Sequence, residues 1–170
     1  TKDKVLSQVE DFFRQRIRAI LLDSGIAYDI IDAVLAGPVD DIYAIFLKAE
    51  AMKNSGLKEE TDLRQAVTRL ANITKGKTGG KVDPALFEED AEKNLEEALG
   101  KAKASVEPLY KEYRYADALP YLKELTAPIN DYLDNVMVMV KDENVKNNRI
   151  SQLMETLSFF DAWGDFSKLV

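Results

Sequence analysis

Val5-Leu6-Ser7-Gln8-Val9-Glu10-Asp11-Phe12-Phe13-Arg14-Gln15-Arg16-Ile17-Arg18-Ala19-Ile20-Leu21 decides the fold class. Its apolar residues Val5, Val9, Phe12, Phe13, Ile17, Ile20 and Leu21 return at steps of three and four, which is one face of an amphipathic helix. Asp23-Ser24-Gly25 stops it, with Gly25 placed as a C-terminal cap. The same period continues outward. A short helix is expected over 28–36, ended by Gly37-Pro38, and Asp40 is positioned to cap a third carrying Ile42, Ile45, Phe46, Ala49 and Met52. A fourth spans about 58–75, with Leu63, Ala66, Val67, Leu70 and Ile73 on one side. Asp83-Pro84 reads as an N-cap and first-turn proline of a long helix bearing Leu95, Leu99, Ala102, Val106 and Leu109, which Pro108 is expected to kink or end. Leu119, Leu122 and Leu125 mark another, Pro128 opens one with Ile129, Tyr132, Leu133 and Val136, and the last runs from 143 to 163. No strand pair competes. The expected architecture is all-α: a single helical bundle of seven or eight helices over 1–170, with a flexible loop near 76–82.

Composition narrows the chemistry. The 170 residues hold 23 Lys+Arg against 30 Asp+Glu, a net charge of −7, which argues against a simple polycationic nucleic-acid binder. The charge is segregated, however. Residues 83–97 carry seven acids and one lysine, whereas 75–81 carry three lysines and 14–18 three arginines. The chain has no Cys and no His, which excludes disulfides, thiol nucleophiles, Ser-His-Asp triads and nearly every structural zinc site. Val136–Val140 falls far short of the ~20 apolar residues of a membrane span. Residues 1–20 are charged throughout and lack the apolar core of a signal peptide, so a cytoplasmic location is expected. A chain beginning at Thr1 is also expected to be part of a longer one.

Three motifs invite a site and fail on spacing. Gly76-Lys77-Thr78 lacks the glycine five residues earlier that a phosphate loop needs, because that position is Ala71. Glu88-Glu89-Asp90, with Glu92, Glu96 and Glu97, crowds the first turns of one helix and reads as a solvated face. The run from Asp142 fails as a calcium loop, since its sixth position is Asn147 and its twelfth Leu153. More informative is Asp131–Val140 followed by Lys141 and Asn147-Asn148-Arg149-Ile150. There an apolar helix end passes into amides and cations, residue types that contact phosphates and base edges, although capping and packing explain the same composition.

Several signatures in order give a family resemblance. They are Arg16-Ile17-Arg18 with Gly25, Asp32-Ala33-Val34-Leu35, Arg69-Leu70-Ala71-Asn72-Ile73 and Val82-Asp83-Pro84-Ala85-Leu86-Phe87. Asp134-Asn135-Val136-Met137-Val138-Met139 with Asn148-Arg149-Ile150, closed by Asp165-Phe166-Ser167-Lys168-Leu169, is the strongest. With these the chain resembles, nearly end to end, the C-terminal part of the beta subunit of bacterial two-subunit glycyl-tRNA synthetase, which carries a DALR-type anticodon-binding domain.

The resemblance implies a non-catalytic module that binds the anticodon region of glycine tRNA and positions it for aminoacylation. The parent complex is an ATP-dependent glycine–tRNA ligase of two alpha and two beta chains, with ATP and Mg at the alpha subunit and no cofactor here. The implied partners are therefore glycine tRNA, the alpha subunit and the rest of the beta subunit, with no membrane. Candidate tRNA-binding residues are Arg16, Arg69, Asn72, Lys75, Lys77, Lys81, Asn135, Lys141, Asn148 and Arg149. Arg16 pairing with Asp32, and Arg149 pairing with Asp134 or Asp142, are the structural alternatives. Tyr132 and Met139 offer stacking or apolar support to unstacked bases, or else core packing. A competing reading, a helical protein-docking scaffold, rests on Phe159, Phe160, Trp163 and Phe166 if these are exposed.

Overall fold

Helical period and turn chemistry place eight α-helices along the chain, described here over residues 1–170 by a computed structural model. They are α1 Lys2–Asp23, α2 Tyr28–Val34, α3 Ile42–Asn54, α4 Thr61–Thr74, α5 Asp90–Lys111, α6 Tyr115–Lys123, α7 Thr126–Asn135 and α8 Glu143–Asp161, with no strand. Short 3₁₀ turns occupy Leu57–Glu59, Pro84–Leu86 and Phe166–Lys168. The all-α bundle is as the periodicity requires.

The departures are at helix ends, and each has a local cause. Asp41, not Asp40, caps α3, its carboxylate accepting the Ala44 amide at 3.0 Å. Gly56, at φ 67°, breaks the chain before Leu57, so α4 begins only at Thr61. Asp83 caps just the three-residue turn Pro84–Leu86, because Phe87 is extended. The helix restarts at Asp90, where the Glu92 carboxylate reaches back to the Glu88 and Glu89 amides, both at 2.9 Å. Pro108 does not end α5 at once, since the helix continues three residues on, to Lys111. Val106 and Leu109, packed into the core on either side of it, hold the backbone through the missing hydrogen bond.

The bundle is assembled around α5, which packs on α6 and α7, and α4, which packs on α8 and α7. Leu63, Leu70, Leu95, Leu122, Ile129, Leu153 and Phe160 meet in one contiguous core. The C-terminal segment is part of it. Trp163 is fully buried, stands edge-on to Tyr115 and donates its indole N–H to the Tyr110 hydroxyl at 2.6 Å. Phe159, Phe160 and Phe166 are buried too, so the docking-scaffold reading loses the residues that motivated it. Asp165 N donates to Ala33 O at 2.9 Å, tying this segment to α2.

Candidate nucleic-acid interface

The first turns of α8 are the common anchor of two loops. Asp142 opens the helix by accepting the Asn144 and Val145 amides. Beyond it, polar side chains turn inward. Asn148 accepts the Asp83 amide at 2.7 Å and donates to the Asp83 carbonyl at 2.9 Å, a two-way clamp on the end of the 75–83 loop. One turn on, Ser151 Oγ accepts the Gly80 amide at 2.8 Å, and Gly79 lies so close to Met154 that a Cβ would meet its sulfur at 2.9 Å. Residues 148 and 151 share one side of the helix, and 149 and 152 the next.

On that second side Arg149, 3% exposed, makes four hydrogen bonds to three partners, the longest from Nη2 to Glu92 Oε2 at 3.3 Å. Its Nε donates to Glu92 Oε1 at 3.0 Å, Nη2 to Glu88 Oε2 at 3.0 Å, and Nη1 to the Met137 carbonyl at 2.8 Å. Gln152 adds a bond to the Glu92 carbonyl at 2.8 Å. Burial pushes the Glu92 carboxyl up, but Arg149 and the Glu89 and Glu88 amides outweigh it and hold the group below the usual carboxylate range. Burial likewise disfavours the charged guanidinium, and Glu92 more than restores it. The pair is ionised and satisfied. It fixes the backbone of the segment between α7 and α8 at Met137.

These clamps leave two loops facing solvent. One carries Lys75, Lys77 and Lys81, of which only Lys77 is half-buried. The other exposes Met137, Met139 and Lys141 while Val136 points inward. Beside them lie Arg69 and Asn72 on α4, both exposed, and Arg69 reaches Asp134 on α7 at 3.2 Å. Asn135 is exposed and donates to the Asp131 carbonyl and carboxylate. Seven of the ten candidate residues are thus set on adjoining elements around the α4–α7–α8 junction.

The other three are no part of that outward face. Asn148 and Arg149 are buried and face inward, so they hold the loops and do not present a surface. Arg149 pairs with Glu92 and Glu88, neither of them the acids the sequence suggested. Arg16 is exposed on α1, which packs on α2 and α3. It is Arg18, not Arg16, that meets Asp32, at 2.6 Å. Tyr132 is fully buried, so stacking on bases is closed to it and only the Met side of that expectation stands. Glu92, which the sequence placed on a solvated face, is fully buried, and the inward role of Asn148 went unread in the sequence. Their signal was position: Glu92 lies on the same stripe of α5 as Leu95, Leu99, Ala102 and Val106.

The elements that build this junction coincide with a known module. The family described as the DALR anticodon binding domain matches residues 63–162, more than half of the chain. The chain belongs to this family. The matched span of the DALR domain holds α4 to α8 and both loops, and leaves α1, α2 and α3 outside it. Relatives are similar to the chain over nearly all of its length. The protein named glycine–tRNA ligase beta subunit is 35% identical over 169 residues in Desulforamulus reducens and covers 99% of this chain. The proteins of that name are 32% identical over 170 residues in Clostridioides difficile and 35% over 169 in Geotalea daltonii, each again covering 99%. The DALR domain chain spans about a quarter of the length of these relatives, 24%, 25% and 24% respectively. No helix in it is long and apolar enough to cross a membrane.

Proposed function

We propose that this DALR domain binds the anticodon region of glycine tRNA, as part of a longer glycine–tRNA ligase beta subunit working in the cytoplasm. The observation that carries the reading is that the family match falls on the elements that hold two solvent-facing loops on one helix. In this account Lys75, Lys77, Lys81 and Lys141 meet backbone phosphates, and Arg69 steers the same strand. Asn72 and Asn135 supply amide groups for base edges, and Met137 and Met139 give apolar support to unstacked loop bases. Asn148 and Arg149 act one step back as positioning residues.

The chain contributes no reacting group. Its part in the ligase reaction is orientation: holding the anticodon end fixes where the acceptor end lies, converting binding energy into placement. Activation of glycine with ATP and Mg is assigned to the alpha subunit of a complex of two alpha and two beta chains.

The test is a titration of the full beta subunit with glycine tRNA and with an anticodon-swapped variant, each at two salt concentrations. Cognate binding tighter by tenfold or more at both salts supports the reading. Equal affinities at both salts refute it.

A further inference from the structure

The outer face of α4 carries a line of polar side chains. Thr61, Gln65, Thr68 and Asn72 follow one another at steps of four, three and four, on the side of the helix opposite the buried Leu63, Ala66, Val67 and Leu70. An arginine stands on each flank of this line, Arg64 against the C-terminal segment and Arg69 against α7. Between them lies an open cleft of about 450 Å³, lined by Thr61, Arg64, Gln65, Thr68, Arg69 and Leu169. In a chain of net charge −7, none of these side chains is an acid.

Arg64 gives the cleft its chemistry. Its Nη1 donates to the Leu169 carbonyl at 3.2 Å, which orients the guanidinium plane. Its Nε is buried without an acceptor, and Nη2 makes no bond within the chain. A buried N–H left in this way costs free energy that an incoming acceptor recovers. Nε and Nη2 together form the side edge of the guanidinium, whose two parallel donors match two oxygens of one phosphate. Arg69 adds a second charge. Its partner is Asp134 at 3.2 Å, and with the two side chains 45% and 63% exposed the pair is weak and yields to a stronger anion.

We propose that this cleft binds a backbone phosphate of the tRNA strand whose bases reach Asn72, with Arg64 holding two of its oxygens through Nε and Nη2 and Arg69 neutralising it. Arg64 and Asn72 are two helical turns apart on α4, about 12 Å along its axis, so one strand laid on the outer face touches both. The inference rests on the RNA-binding reading of the α4–α7–α8 junction, and it adds to that surface a residue the sequence did not single out.

Titrations of the full beta subunit test it, with Arg64→Gln and Arg64→Lys set against tRNAs in which single phosphates of the anticodon arm are replaced by neutral methylphosphonates. Arg64→Gln is expected to weaken glycine tRNA and its anticodon-swapped variant alike, by about five- to tenfold at low salt, and to lower the log–log salt slope by about 1. Arg64→Lys keeps the charge and the slope but binds about threefold more weakly, because an ammonium has no fork. At one position the methylphosphonate should weaken the wild type as much as Arg64→Gln does and cost that variant nothing further. If Arg64→Gln melts below the temperature of titration, the comparison is made with Arg64→Lys, for which the same position should cost less than for the wild type. Unchanged affinity and slope in Arg64→Gln, full recovery by Arg64→Lys, or equal penalties in wild type and variant at every methylphosphonate position each overturn the proposal. Equal binding of cognate and swapped tRNA by the wild type, with the Arg64 effects intact, overturns the anticodon reading and leaves the phosphate site standing; no binding of either tRNA overturns both.

Discussion

Glu92 serves two sets of donors at once: Oε2 gathers the Glu88 and Glu89 amides that start α5, and both oxygens meet Arg149, Oε1 at 3.0 Å and Oε2 at 3.3 Å. Removing the arginine therefore strands a buried charge at a helix start. Arg149→Ala is expected to destabilise the domain by about 3–5 kcal/mol in urea unfolding at pH 7. The pH dependence follows from the direction of the shift. A carboxylate held below its unfolded value contributes stability that is complete above the usual carboxylate range and is lost as pH falls through the folded value. Wild type should lose stability on acidification below about pH 4, and Glu92→Gln should be weaker at pH 7 yet flatter over that interval, as read by melting temperature against pH. Gly164 makes a second point at this scale. It has φ 144°, and a Cβ there would lie 2.3 Å from the Ala33 carbonyl oxygen. Gly164→Ala should cost about 1–3 kcal/mol by calorimetry and free the C-terminal segment from α2. Residue identity misled the sequence reading at Arg149 because its type suits RNA. Its position, four residues from both Val145 and Leu153 on α8, already placed it on the inner stripe.

At the scale of elements, the period of three and four located every helix, because packing of one face is what makes each segment helical. It could not locate ends set by distant groups. The start of α5 depends on a side chain within its own first turn and on Arg149 across the bundle, so the proline signal at Pro84 was outweighed. The loops behave similarly. Residues 76–82 look like a free connector in sequence, and their attachment to Ser151 and Asn148 follows only from the packing of α4 on α8. If the loop lysines meet phosphates, replacing Lys75, Lys77 and Lys81 with Gln should weaken glycine and anticodon-swapped tRNA alike and lower the salt slope by about 2 in a log–log plot. Asn135→Ala should instead narrow the gap between the two tRNAs with little change in slope, measured in the same titration.

For the whole molecule, the net charge of −7 is a sum over separated regions. The acid-rich 83–97 segment and the lysines of 75–81 are consecutive in sequence, and α8 holds the boundary between them at Asp83. An acidic majority beside a small basic face disfavours nonspecific adhesion and leaves one orientation for a polyanion. That segregation and the ordered signatures were legible in the sequence, and so was the family. Which of the candidates face outward was not, since the inward turn of Asn148 and Arg149 depends on three elements meeting at α8. The central claim is that the two loops anchored there are the anticodon surface. A photoreactive base in the anticodon of glycine tRNA, crosslinked to the full beta subunit and mapped by mass spectrometry, tests it most directly. Crosslinks at 75–83 and 135–142 are predicted; crosslinks confined to α1–α3 or to the outer faces of α5 and α6 would contradict it.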